Sequence, residues 1–253
     1  MPIIDVKSRA VHVQELNKGA AETVLLVHGM FSNLSIYYFN IAPILARHFH
    51  VVMYDLKSHG MSEKIADGYD LNSMTDDLSE LLERLGLSSV YLAGYSFGGL
   101  ISLKMAARFP DKIRKLAIIE APDPNDDKTR DIIDEYSREF LEYYVQNFAD
   151  TTKSKMGKRQ MEKNHRMYEY LFHETSIKSD MIRERDFFSA AEIEEIPQET
   201  LLLYGADSNC LEAGRKLKKK IKRVEMLEVE GDHNVPIQQP VNIGNLMESF
   251  FRN

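Results

Sequence analysis

A serine held between two glycines is where this chain first shows residues arranged for chemistry. Ser96 stands in Gly94-Tyr95-Ser96-Phe97-Gly98-Gly99, the G-x-S-x-G pattern of a nucleophile elbow. A serine hydroxyl is a weak nucleophile near neutral pH until a base takes its proton. His233, in Glu230-Gly231-Asp232-His233-Asn234, offers the imidazole for that step. A carboxylate on the far ring nitrogen would fix the tautomer and stabilise the imidazolium. Asp207 is the first candidate for it and Glu120 the alternative, and the residues alone leave both open. Asp232 is too near in sequence to fold back onto its neighbour. Such a set performs acyl transfer on esters, thioesters, activated amides or certain carbon–carbon bonds.

These groups need elements that hold them at one edge. Val90-Tyr91-Leu92-Ala93 reads as a buried strand entering the elbow. Leu100, Ile101, Leu103, Met105 and Ala107 read as the apolar face of a helix leaving it, stopped by Pro110. A sharp turn must lift the hydroxyl above the strand ends, and Gly94 and Gly98 suit the close approach of strand and helix. Central or buried strands are expected at Thr23–Val27 and Lys115–Ile119, further strands at His50–Tyr54, Thr200–Tyr204 and Val224–Val229, and an edge strand over Val11–Leu16. Helices are expected at about Ile36–His48, Asp76–Leu85, Leu211–Lys222 and Val241–Phe251. Strands alternating with helices predict a mostly parallel sheet flanked by helices, an α/β fold. Between Asp123 and Glu195 the central-strand pattern disappears. Charged residues and aromatics at helical spacing, from Tyr136 to Phe188, predict a helical insertion after the sixth core strand. The expected organisation is a core of residues 1–122 and 196–253 with a cap over 123–195.

The bulk properties exclude several classes. The length of 253 residues suits one α/β domain with an insertion. A formal net charge of -7 argues against general nucleic-acid binding. One cysteine, Cys210, excludes an internal disulfide and fits a reducing compartment. No apolar run approaches the roughly 20 residues that span a bilayer, and the N-terminus shows no secretory signal. A cytoplasmic protein without membrane or nucleic-acid partners is expected.

The order Ser, acid, His joins with His28-Gly29-Met30-Phe31, the Asp55–Ser62 loop and Gly231-Asp232-His233 in a pattern that resembles the α/β-hydrolase superfamily over most of the chain. The resemblance implies Ser96 as nucleophile, His233 as base, and the backbone N–H groups of Met30 and Phe97 as an oxyanion hole. It implies structural roles for His28, Asp55 and His59, and no metal or organic cofactor. The family usually places its acid where Ser208 stands here. Asp207 would then serve from a shorter loop, and Glu120 would serve as the acid does in some dehalogenase and small-esterase branches. Serine at position 96 argues against a dehalogenase or epoxide hydrolase.

The expected reaction is hydrolysis of a small-molecule carboxylic ester or thioester through an acyl-serine intermediate. C–C bond hydrolysis or lysis by the same triad, and a catalytically weak binding module, are the alternatives. The basic stretch Thr151–Arg166, with Lys153, Lys155, Lys158, Arg159 and Lys163, suits an acyl carrier protein or CoA phosphate if it is not merely a solvated helix face. His12 reads as an ordinary strand residue.

Overall fold

The computed structural model describes residues 2–127 and 166–253 in full, and the backbone alone over 158–165. The aromatic residues from Tyr136 to Phe148, Met156, Met161, His165 and the basic side chains from Lys153 to Lys163 lie outside the described residues and side chains.

Eight strands form one sheet in the order β1-β2-β4-β3-β5-β6-β7-β8. They are β1 Ile3–Val6, β2 Arg9–Leu16, β3 Thr23–Val27, β4 His50–Tyr54, β5 Val90–Tyr95, β6 Ile113–Ile119, β7 Glu199–Gly205 and β8 Val224–Val229. β1 pairs antiparallel with β2, and β2 antiparallel with β4. All remaining pairs are parallel. β3, β4 and β8 occupy the expected spans; β3 and β4 are buried throughout, whereas β8, with Glu225 and Glu228, is an edge strand mostly half-buried or exposed. β1 was not anticipated, because Ile3–Val6 is a four-residue edge strand whose burial pattern only its hairpin with β2 creates.

The central strands β3, β4 and β5 are buried at every position, and because neighbouring residues of one strand point opposite ways this means burial on both faces. Leu25 and Val27 of β3 join Leu92, Leu116, Ile118 and Leu202 on one side. There they meet Leu78, Leu81 and Leu82 of helix α3 (Leu71–Arg84) and Leu100, Ile101 and Leu103 of helix α4 (Phe97–Arg108). Val24 and Leu26 face the other side with Val51, Met53, Ala93, Ala117 and Leu201. They pack on Tyr37 of α1 (Ser35–Tyr38), Ile41 and Leu45 of α2 (Ile41–Leu45), and the closing helix at Ile243, Met247 and Phe251.

The single helix expected over Ile36–His48 is two short ones. Pro43 has no N–H to give the carbonyl of residue 39, so the first helical turn cannot run through Phe39 and Asn40. α3 starts earlier than its leucine spacing indicates, because the Asp70 carboxylate caps it by accepting the Ser73 N–H at 3.0 Å.

After β6 the described chain continues as α5 (Lys158–His173), α6 (Ile177–Arg183) and α7 (Ala191–Glu194) before β7. Leu171, Ile177, Met181, Phe187, Phe188 and Ile193 of this helical segment are buried in the α3/α4-side core. The segment is also tied to the loop before α3. Asp180 accepts the Tyr69 N–H at 2.9 Å, Glu184 accepts the Leu71 N–H at 3.0 Å, and the Ser176 N–H reaches the Ala66 carbonyl at 2.8 Å. The rest of the fold is α8 (Leu211–Lys220), α9 (Val235–Gln238) and α10 (Pro240–Arg252).

Candidate active site

Parallel strands end on one edge, so the residues that follow β3, β5, β6, β7 and β8 gather there. Ser96 follows β5 and its N–H binds the Ile119 carbonyl at 2.8 Å; Glu120 follows β6 and its N–H binds the Leu203 carbonyl at 3.0 Å. Each bond is the last rung of its parallel ladder, closing the pairs Tyr95–Ile119 and Ile119–Leu203. Each residue is turned out of its strand with positive φ, 53° for Ser96 and 55° for Glu120. For non-glycine residues this conformation costs on the order of 1–3 kcal/mol and gathers at working sites.

The elbow is as tight as its sequence indicates. A Cβ on Gly94 would lie 2.2 Å from the Gly98 carbonyl oxygen, and one on Gly98 would lie 2.3 Å from that of Val27. No L side chain fits at either place. Phe97 opens the twelve-residue α4, so the positive end of its dipole lies at Ser96.

Three side chains then form a continuous path. Ser96 Oγ lies 3.1 Å from His233 Nε2, and His233 Nδ1 lies 3.2 Å from Glu120 Oε2. Glu120 is completely buried. Its carboxylate also accepts hydrogen bonds from the Gly205 N–H and the Ser208 hydroxyl. With those donors filled, the Nδ1–H of His233 takes the remaining acceptor site, which leaves the Nε2 lone pair facing the serine. The acid that meets His233 is therefore Glu120. Asp207 is exposed in the turn after β7, held by its backbone N–H on the Gly231 carbonyl at 2.9 Å. The cause is register. β6 and β7 lie side by side with Ile119 opposite Leu203, so Glu120 is delivered beneath the loop that carries His233, whereas the turn at Asp207 carries its side chain outward. Ser208, where the resemblance would put an acid, instead donates to Glu120.

Other contacts set the imidazole. The Tyr95 hydroxyl donates to the His233 carbonyl at 3.0 Å, and the two rings lie 5.3 Å apart. Asp232 does not meet the imidazole: its carboxylate accepts the Asn234 N–H at 2.7 Å and the Asn234 side-chain amide at 3.0 Å. Burial alone would lower the pKa of His233. Tyr95, Cys210 and the hydrogen bond donated to Glu120 outweigh burial and hold it well above the ordinary histidine range.

The loop after β3 faces the nucleophile. A Cβ on Gly29 would meet that of Ser96 at 3.0 Å. Among the described residues neither the Met30 N–H nor the Phe97 N–H has an intramolecular acceptor. Asp55 braces this loop: its carboxylate accepts from the Leu34 N–H, the Met61 N–H and His12 Nδ1, each at 2.8 Å. His12 is thus a buried partner of Asp55 rather than an ordinary strand residue, a pairing across β2 and β4 that spacing does not reveal. His28 is buried, accepts the Leu56 N–H on Nε2 at 2.9 Å and donates from Nδ1 to the Gly29 carbonyl at 2.7 Å. Burial lowers its pKa. His59 is buried beside it, its pKa pushed down to about 3 by burial and by the neighbouring His28. Both histidines are neutral braces. Phe31, next in the loop, packs on Tyr168 and Phe172 of α5 with ring centroids 5.4 and 5.6 Å apart. This contact seats the helical segment beside the loop.

Residues 22–223 match the family model described as alpha/beta hydrolase fold. The chain belongs to the alpha/beta hydrolase fold family. Among curated relatives, 120 residues are 30% identical to a 2-(acetamidomethylene)succinate hydrolase of Mesorhizobium japonicum, covering 46% of this chain and 41% of that protein. A fluoroacetate dehalogenase of a Burkholderia species is 33% identical over 107 residues, 40% of this chain and 35% of that one. The chain thus aligns with less than half the length of each. Among solved structures, a hydrolase from Pseudomonas aeruginosa superposes with a TM-score of 0.83 at 19% identity, covering 99% of this chain and 97% of the other. The enol-lactonase of Burkholderia xenovorans gives 0.78 at 20% identity with both chains fully covered. These likenesses extend the α/β-hydrolase fold over the whole chain. No described helix is long and apolar enough to cross a membrane.

Proposed function

We propose that this α/β-hydrolase cleaves a carboxylic ester or thioester through an acyl-serine intermediate, with Ser96 as nucleophile, His233 as general base and acid, and Glu120 as the triad carboxylate. The observation that carries the reading is the unbroken path from Ser96 Oγ through both ring nitrogens of His233 to a fully buried carboxylate. Ser96 Oγ attacks the carbonyl carbon as its proton passes to His233 Nε2. Glu120 stabilises the imidazolium so formed. The carbonyl oxygen becomes an oxyanion, received by the Met30 and Phe97 N–H groups and the N-terminal end of α4. The tetrahedral centre collapses, and the leaving group departs with the proton from Nε2. A water then repeats the sequence on the acyl-serine, with His233 taking its proton.

Serine at this position supports acyl transfer over the halide displacement that the dehalogenase relative's name denotes. A hydroxyl displacing halide from an alkyl carbon would leave an ether, which water does not cleave. A carbonyl acceptor leaves an ester, which it does. The aromatic contact of Phe31 with Tyr168 and Phe172 supports an apolar acyl group under residues 123–195, read as a cap. The basic residues of 151–166 make acyl-CoA and acyl-carrier thioesters part of the substrate class to be tried.

The test is a fluorophosphonate probe together with a panel of aryl esters, acyl-CoAs and acyl-carrier substrates. Labelling and turnover are expected in the wild type and absent in Ser96→Ala. A folded wild type that the probe leaves unlabelled would show a binding module instead. Product analysis identifies any carbon–carbon cleavage.

A further inference from the structure

One sulfur donor stands beside the triad. Cys210, the sole cysteine of the chain, is buried where α8 begins. Its Sγ, a ring nitrogen of His233 and a carboxylate oxygen of Glu120 all lie within 4.8 Å of one another. The proton path from Ser96 to Glu120 does not use this thiol. Thiolate, imidazole and carboxylate are together the donor set of zinc and its softer congeners, which bond at ~2.0–2.3 Å. Tetrahedral bonds of that length put donors roughly 3.3–3.8 Å apart, so the cluster needs to contract by about 1 Å along its widest edge. The sulfur is the more loosely held donor: its thiol gives a long hydrogen bond, 3.6 Å, to Asn209 Oδ1 and interacts with the His233 imidazole, whereas Glu120 is pinned by Gly205 and Ser208. An ion can reach the cluster past His233, whose side chain is 25% exposed.

We propose that Glu120, Cys210 and His233 form an inhibitory site for a thiophilic divalent cation of the Zn²⁺ class. As the metal–sulfur bond forms, the Cys210 thiol releases its proton to solvent. The His233 nitrogen turned toward Glu120 is Nδ1. Its lone pair becomes available to the metal when the ring proton moves to Nε2. That tautomer points an N–H at Ser96 Oγ and can no longer accept the hydroxyl proton. Metal occupancy and base catalysis exclude each other for that reason. The inhibitory half of this inference rests on the acyl-serine reading; the binding half does not.

Cd²⁺ is the probe, because a cadmium–thiolate bond gives an ultraviolet charge-transfer band and a single cysteine leaves its origin unambiguous. Wild-type protein freed of metal by chelation is titrated with Cd²⁺ while the band and the rate on an aryl ester are read in the same samples. One equivalent is expected to raise the band in step with loss of rate. Cys210→Ser should lose the band and require about tenfold or more Cd²⁺ for half-inhibition relative to its own metal-free rate, and Cys210→Ala provides the same readings if the serine variant misfolds. Glu120→Gln and His233→Ala should each move the midpoint of the band about tenfold upward. The proposal is overturned if the wild type shows no band at millimolar Cd²⁺, or if the midpoint is unchanged in both the Glu120 and His233 variants. Equal inhibition of the wild type and a folded Cys210 variant overturns it too. Should the wild type show no hydrolysis at all, the acyl-serine reading fails, and the band still decides the metal site.

Discussion

Replacing Glu120 by glutamine interrogates the proton path at its most buried point. The carboxylate has no solvent contact and accepts from three donors, the Gly205 N–H, the Ser208 hydroxyl and His233 Nδ1–H. Glutamine keeps the shape but offers one acceptor oxygen and an NH₂ group. If that NH₂ meets His233, the ring takes the wrong tautomer and its Nε2 can no longer accept from Ser96. If it meets Gly205 and Ser208, a buried donor clashes with two others. In either case the imidazolium loses its counter-charge. The corresponding change in a serine-protease triad lowers kcat about 10⁴-fold. His233 here is partly exposed, so water offsets some of the loss. We expect a fall of roughly 10³–10⁴-fold in kcat, about 4–5.5 kcal/mol of barrier. Asp207→Asn, on an exposed turn, should change kcat by less than about threefold, in line with surface substitutions. The assay is steady-state hydrolysis of an aryl ester across pH with chelator present, with circular dichroism confirming the fold of each variant. The pH profile carries a second sign. The folded-state pKa of His233 is raised, and the base works only when deprotonated. The acid limb of kcat/KM should therefore lie above the ordinary histidine value of about 6.5. Removing the Glu120 charge should move that limb to lower pH. The reasoning is refuted if Asp207→Asn is the variant that loses orders of magnitude, if both variants stay within tenfold of wild type, or if the limb of Glu120→Gln does not move.

Two further outcomes follow from the framework around the triad. Gly98→Ala places a Cβ 2.3 Å from the Val27 carbonyl and 2.5 Å from that of His28, which are backbone atoms that cannot step aside. A loss of about 3 kcal/mol, or roughly 6–12 °C in Tm by calorimetry, is expected, and a melting point equal to wild type would show that the elbow is looser than described. His59 stays neutral in the fold down to about pH 3 because of burial, whereas in the unfolded chain it takes a proton below about 6.5. Its contribution to stability is therefore complete above about pH 6.5 and declines as pH falls from there toward about 3, by at most about 1.4 kcal/mol per pH unit. Urea unfolding at several pH values should show this slope, and His59→Gln should flatten it; an unchanged slope in that variant would remove the assignment.

The elements nearest the chemistry were legible in the chain itself. Gly94 and Gly98 around Ser96, with an apolar run before and a helical stripe after, specify a strand, a sharp turn and a helix by local sterics alone. The spans of β3 and β4 are likewise local, since apolar runs bounded by turn formers have little choice but to lie inside a parallel sheet. His233 was legible because it follows the last strand-like stretch, Val224–Val229. Tertiary structure decided what local rules cannot reach. The acid is delivered by the register of β6 against β7 and by a positive φ at Glu120, so two carboxylates that look equivalent along the chain end up facing opposite ways. The pairing of His12 with Asp55, the hydroxyl of Ser208 under the carboxylate, and the thiol of Cys210 beside the imidazole join residues many positions apart. Spacing fixes which residues share a strand or a helix turn. It does not fix which strand ends and loops meet, because that is set by how the two faces of the sheet bury their apolar surface.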